Sequence, residues 1–225
     1  MCTVTYLPLG NNNFILTSNR DEAPSRKTTP PKLYEEDGVK LTYPKDELAG
    51  GTWIGTSNKK RLVCLLNGGF ESYERETSYK MSRGIIVKAI LKSDNFENYI
   101  HDFDFIGIEP FTIVLVDWNT DLKTYELVWD GNQEHFTELK QEPRIWSSST
   151  LYSQKDKALR NGWFDNWLEN NQKFSQEEIL KFHQDSEIGT PENSLKMKRW
   201  YVETVSITSV KKTNKIVAFN YEKIF

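Results

Sequence analysis

Two short stretches place reactive side chains where chemistry can use them. The chain opens Met1-Cys2-Thr3, and Thr17-Ser18-Asn19-Arg20-Asp21-Glu22-Ala23-Pro24 follows the apolar run Phe14-Ile15-Leu16. Removing an initiator methionine, which is favoured when the second residue is small, turns Cys2 into an N-terminal cysteine that carries its own base. A free α-amino group titrates near about 7.7 to 8.0, close enough to working pH to take the thiol proton without a histidine. Such a thiolate attacks a carbonyl, forms a thioester and is released by water. Read singly, each stretch also has a plain structural reading. Cys2 is then an incidental small residue at a strand end, and the charged run is a solvated loop closed by Pro24.

Pairing decides what the two stretches do together. Thr3 to Leu9 and Phe14 to Ser18 read as a hairpin about Gly10-Asn11-Asn12-Asn13, which returns the end of the second strand beside Cys2. Asn19, Arg20 and Asp21 then lie within reach of the terminal amine. A carboxylate there orients the ammonium, and a guanidinium favours the thiolate. Alternation puts Asn19 and Asp21 on one face and Arg20 on the other. Arg20 therefore needs a bulge or a strand end to join the site, or serves instead in an ion pair with Glu22 or Glu47. In "LLNGGF", Asn67 leaves an apolar strand just before Gly68-Gly69. Its amide N–H suits an oxyanion hole, while Asn-Gly is equally a common turn dipeptide. Cys64 in the same strand reads as a buried core thiol.

The elements that must hold these residues are mostly strands. Thr52 to Thr56 pairs with Arg61 to Leu66 across Ser57-Asn58-Lys59-Lys60, and Phe111 to Trp118, Thr124 to Trp129, His135 to Lys140 and Arg144 to Ser147 form an antiparallel run. Helical periodicity follows Ser82-Arg83-Gly84 in "IIVKAILK". It recurs over Lys155 to Glu169, with Leu159, Trp163 and Trp167 on one face, and over Gln176 to His183 behind the capping pattern Ser175 to Glu178. Tyr201 to Val210 and Lys215 to Tyr221 close the chain as a hairpin. The order predicts an α+β protein with one large sheet or two, covered by helices.

Bulk properties narrow the function. The 225 residues carry 29 Lys+Arg among 32 Asp+Glu, so no basic stripe points to nucleic acid. No stretch approaches the roughly 18 apolar residues of a membrane helix, and the N-terminus lacks a signal-peptide pattern. Two cysteines and the scattered His101, His135 and His183 make neither a disulfide framework nor a metal cluster. A single cytoplasmic domain over residues 1–225, without metal or cofactor, is the expectation.

Taken in order, Cys2, Asn19-Arg20-Asp21-Glu22, "GGTWIG" at 50 to 55, Asn67-Gly68 and "SRG" at 82 to 84 resemble the family named for its Asn-Arg-Asp-Glu motif, Transport and Golgi organisation 2. That family is similar to the choloylglycine hydrolase and penicillin V acylase group of N-terminal nucleophile hydrolases. The resemblance implies a four-layer αββα sandwich of mainly antiparallel sheets and hydrolysis of a small non-peptide acyl amide. It casts Cys2 as nucleophile, Asp21 as the amine-orienting carboxylate, Arg20 beside it, Asn67 as an oxyanion contact, and Asn19 and Ser148 as substrate contacts. Three positions depart from the hydrolase pattern. Ser18 stands where an arginine is expected, Ser147-Ser148-Ser149 replaces a Ser-Asn-Ser segment, and Arg199 is an approximate counterpart of a late arginine. The alternative function is non-catalytic lipid or haem handling on the same fold.

Overall fold

A computed structural model describes residues 3–171 and 173–224, so Cys2 lies outside the described residues. The chain divides into two compact units. One is made of the chain up to Ser25 together with everything from Gln141 onward; the other is Arg26–Lys140.

The first unit begins with β1 (Thr3–Gly10) and β2 (Asn13–Glu22), joined by a turn in which Gly10, Asn11 and Asn12 all take positive φ. The second unit runs β3 (Thr28–Glu36), β4 (Val39–Asp46), β5 (Ile54–Ser57), β6 (Arg61–Asn67), α1 (Arg83–Lys92), α2 (Phe96–Asp102), β7 (Phe111–Asp117), β8 (Lys123–Trp129) and β9 (Glu134–Leu139). The chain then returns to the first unit with β10 (Arg144–Ser147), α3 (Gln154–Asn170), α4 (Gln176–His183), β11 (Glu203–Thr213) and β12 (Ile216–Lys223).

Each unit has its own antiparallel sheet. The second holds β3 to β9 in chain order, and α1 and α2 cover it through a core that includes Val63, Leu65, Ile86, Ile90, Ile113 and Leu127. The first has the order β10-β1-β2-β11-β12, with α3 and α4 packed on it through Leu7, Ile15, Phe164, Ile179 and Phe182. This is the α+β architecture the element order implies.

Two of the sequence motifs turn out to be packing devices. Ser82 caps α1 by accepting from the Gly84 N–H, and the helix start lies against the backbone leading into β5. A Cβ on Gly84 would sit 2.8 Å from the Thr52 carbonyl oxygen, and one on Gly51 would sit 2.6 Å from the Gly84 carbonyl carbon. Only two facing glycines permit that approach.

Several sequence expectations change. The second strand does not end at Ser18. It continues through Asn19, Arg20 and Asp21, all at most 3% exposed, because β11 pairs with it as far as Glu22 while β1 pairs with it as far as Asn19. The charged stretch is therefore central sheet, not loop. The hairpin of β3 and β4 escapes the sequence reading because Pro30 and Pro31 break the alternation; they sit on an edge strand where the register shifts between Thr29 and Lys32. The seven-residue α2 is too short for a periodic signal. On α3 the buried residues are Arg160 and Phe164, with Trp163 and Trp167 partly buried, whereas Leu159 is exposed.

Candidate active site

The backbone register sets Ser147, Thr3, Asn19 and Ile207 side by side across β10, β1, β2 and β11. Thr3 follows Cys2 directly in the sequence. Just beyond this row on β2 are Arg20 and Asp21.

Asp21 is 3% exposed, and two hydroxyls hold it. Thr204 Oγ1 donates to Oδ1 at 2.6 Å and Tyr152 Oη donates to Oδ2 at 3.1 Å. A β-bulge makes the first bond available. Ile207 faces Asn19 and Ser206 faces Arg20, but the register then skips Val205 so that Thr204 faces Asp21. Without the extra residue an apolar valine would stand opposite the carboxylate. Because the bulge lies in β11, β2 keeps its alternation, and Arg20 points to the opposite face from Asp21. There Arg20 Nη2 lies 3.9 Å from Glu22 Oε2, the first of the two ion pairs expected for it, while Glu47 accepts from Thr29.

Asn19 is committed to holding the last turn of α4. Its Nδ2 donates to the His183 carbonyl at 3.0 Å and to the Leu195 carbonyl at 2.7 Å. Carbonyls only accept, so Oδ1 must be the atom 2.7 Å from His183 Nδ1, which places the imidazole proton on Nδ1. Nε2 then accepts from Thr5 Oγ1 at 2.8 Å. Burial, with Arg160 nearby, pushes the His183 pKa down to about 3, so the ring is neutral. Sequence reading passed over His183, because only the fold brings it to Asn19.

Behind Asp21, the guanidinium of Arg160 stacks on the Tyr152 ring at 3.9 Å, and Nη2 donates to Thr3 Oγ1 at 2.7 Å. Arg199 lies over the same ring at 5.6 Å and donates to the Leu151 carbonyl. Ser148 follows β10 at the same end of the sheet, 2% exposed, with its hydroxyl 2.9 Å from Thr150 Oγ1. On the Arg20 face, the buried hydroxyls of Ser206 and Thr208 have no hydrogen-bond partner, and they stand in register with Arg20 and Ser18.

Asn67 belongs to the other unit. It ends β6, with Phe111 as its Cα partner, and Gly68 follows at φ 87° and donates to the Pro110 carbonyl at 3.0 Å. Arg83 of the "SRG" motif donates to the same carbonyl at 2.9 Å and pairs with Glu109 at 2.9 Å, which ties the exit from β6 to the start of α1. The Cys64 side chain is buried within β6.

A family model described as Transport and Golgi organisation 2 matches residues 1–219. No match was found among curated proteins. Among solved structures, the Caenorhabditis elegans ortholog of N-acylethanolamine-hydrolyzing acid amidase superposes with TM-score 0.63 at 12% identity, covering 92% of each chain. A variant of conjugated bile acid hydrolase from Clostridium perfringens gives 0.58 at 10% identity over 99% of this chain and 92% of that one. Penicillin V acylase from Agrobacterium tumefaciens gives 0.57 at 11% identity over 99% and 86%. All three are N-terminal nucleophile hydrolases, and the fold is theirs.

Proposed function

Because this chain belongs to the Transport and Golgi organisation 2 family and has an N-terminal nucleophile hydrolase fold, we propose that it is an amidohydrolase that uses Cys2 on a small non-peptide acyl amide. The observation that carries this reading is Asp21: a buried carboxylate, fixed by two hydroxyls, two residues along β2 from the Thr3 partner Asn19. An amidase, a conjugated bile acid hydrolase and an acylase among the structural relatives favour an acyl substrate.

In this reading Met1 is removed and the α-amine of Cys2, oriented by Asp21, takes the thiol proton. The thiolate attacks the substrate carbonyl to give a tetrahedral oxyanion, for which the family motif assigns the Asn67 amide as donor. Collapse breaks the C–N bond, and the terminal ammonium returns its proton to the departing amine. Water, deprotonated by the same amine, then attacks the thioester, and the acid and the thiol are released. Arg20, on the other face from Asp21, favours the thiolate. Asn19 serves the site through the anchorage of α4 at His183, and Ser148 borders the substrate position. A cytoplasmic location belongs to the same reading, since a reducing compartment keeps the thiol reduced. No helix among the described residues is long and apolar enough to cross a membrane.

The test combines three measurements on protein made in its own host. Intact mass should show a chain that begins at Cys2. Iodoacetamide should label Cys2 far faster than Cys64, with a rate that rises through neutral pH. Asp21→Asn should lower that rate, and turnover of any amide found by library screening, about a hundredfold while leaving the fold intact. Retention of Met1 throughout the population, or wild-type labelling in Asp21→Asn, would sink the proposal and leave non-catalytic ligand handling as the better reading.

A further inference from the structure

Arg160 is fully buried on α3, yet no carboxylate among the described residues pairs with it. Its guanidinium makes hydrogen bonds only to neutral acceptors. Nη2 donates to Thr3 Oγ1 at 2.7 Å and to the Ser194 carbonyl at 3.2 Å; Nη1 donates to the Ser194 and Asn193 carbonyls, each at 3.4 Å. Nε is buried and has no partner. Taking a guanidinium out of water without a counter-ion is among the costliest things a fold can do. A helix that only needed to pack would place an apolar side chain here, as α3 does one turn later with Phe164.

The neighbours suggest why the cost is borne. One arm of Arg160 grips Thr3, the residue that follows Cys2. Its flat face covers Tyr152 at 3.9 Å, and the Tyr152 hydroxyl donates to Asp21. A single cation thus fixes the chain leading to the proposed nucleophile and backs the group that holds the proposed amine-orienting carboxylate. The ionisable groups around it are Asp21 on β2, neutral His183 on α4, Asp156 on α3 itself, where Asn193 and Ser153 bond it, and Arg199 over the Tyr152 ring.

We infer that Arg160 is a positioning residue for the Cys2 site: it aligns Thr3 and Tyr152, and its fixed positive charge favours the Cys2 thiolate. The inference rests on the amidohydrolase reading and deepens it.

The experiment is the pH profile of Cys2 alkylation by iodoacetamide in the full chain, with thermal melting alongside. Arg160→Met should raise the profile's midpoint by about half a pH unit or more and slow labelling at neutral pH roughly tenfold. Arg160→Lys, which keeps the charge but loses the planar fork, should restore the midpoint while leaving the rate low. Thr3→Val cuts the link to β1 alone and should slow labelling with little change in melting. A wild-type midpoint in folded Arg160→Met marks a purely structural arginine and overturns the inference while leaving the reading of Asp21 intact. Should Arg160→Met not fold, wild-type labelling in Thr3→Val overturns it. If Cys2 in the unaltered protein labels like a model thiol, both readings fall together.

Discussion

The two sheets deal with polarity in opposite ways. In the seven-stranded sheet the interior is apolar, from Val63 and Leu65 to Ile113 and Leu127, and its charged groups pair at the margins, as Arg61 does with Asp117 and Arg83 with Glu109. The five-stranded sheet has an apolar end, with Leu7, Ile15 and Phe164, but its other end buries Thr3, Thr5, Asn19, Asp21, Arg160, His183 and Thr204 together. Apolar packing is non-directional and tolerates adjustment. A buried polar network must satisfy each member in one geometry, and half-satisfied it is worse than a greasy core. The seven-stranded sheet therefore reads as scaffold, and the polar end of the five-stranded sheet reads as a place where stability has been given up for positioning.

That contrast can be broken most directly with acid. The folded pKa of His183 lies near 3, below the ordinary 6.5, so the unfolded chain takes up the proton more readily as pH falls. Its contribution to stability should be complete above about pH 6.5 and should drain away towards pH 3, on the order of 5 kcal/mol across that range. Urea titrations from pH 7 to pH 4 check this, and His183→Gln should flatten the dependence. An unchanged slope in the variant would assign acid sensitivity elsewhere. The second test truncates the scaffold: Leu115→Ala, at a fully buried position of β7, should cost about 3 kcal/mol yet leave the pH profile of Cys2 labelling in place. A shifted profile would mean that the two sheets are not separable in function.

A finer comparison sits on β11, either side of its bulge. Thr204 Oγ1 donates to Asp21 and accepts from the Met197 N–H, so Thr204→Val should cost about 2 kcal/mol and slow Cys2 labelling. The Ser206 hydroxyl makes no hydrogen bond, so Ser206→Ala should change stability by no more than about 0.5 kcal/mol. Equal effects by denaturation would remove the distinction drawn between them.

The hairpin of β1 and β2, strands β5 to β9 and the helices α1, α3 and α4 are legible in sequence because each rests on local pattern. Asn19, Arg20 and Asp21 reveal their chemistry but not their place. A polar run can be central strand only if distant partners satisfy it, and Tyr152, His183 and Thr204 lie 131, 164 and 183 residues away. Arg160 was hidden for a related reason: helical periodicity tracks apolar faces, and a buried arginine counts against one. The bulge that brings Thr204 round leaves no trace in sequence at all.

The placement of β2 also bears on when the molecule can be completed. Its second neighbour, β11, is drawn from Glu203–Thr213, so on the ribosome the first hairpin waits while nearly all of the chain is made. At typical elongation rates that interval is roughly ten to forty seconds. For that time β2 keeps an open edge along the side that β11 will take, and the chain remains within reach of whatever processes nascent chains. Trimming that exposes the Cys2 amine, which the proposed chemistry requires, has this window before β11 pairs with β2 and Arg160 closes on Thr3.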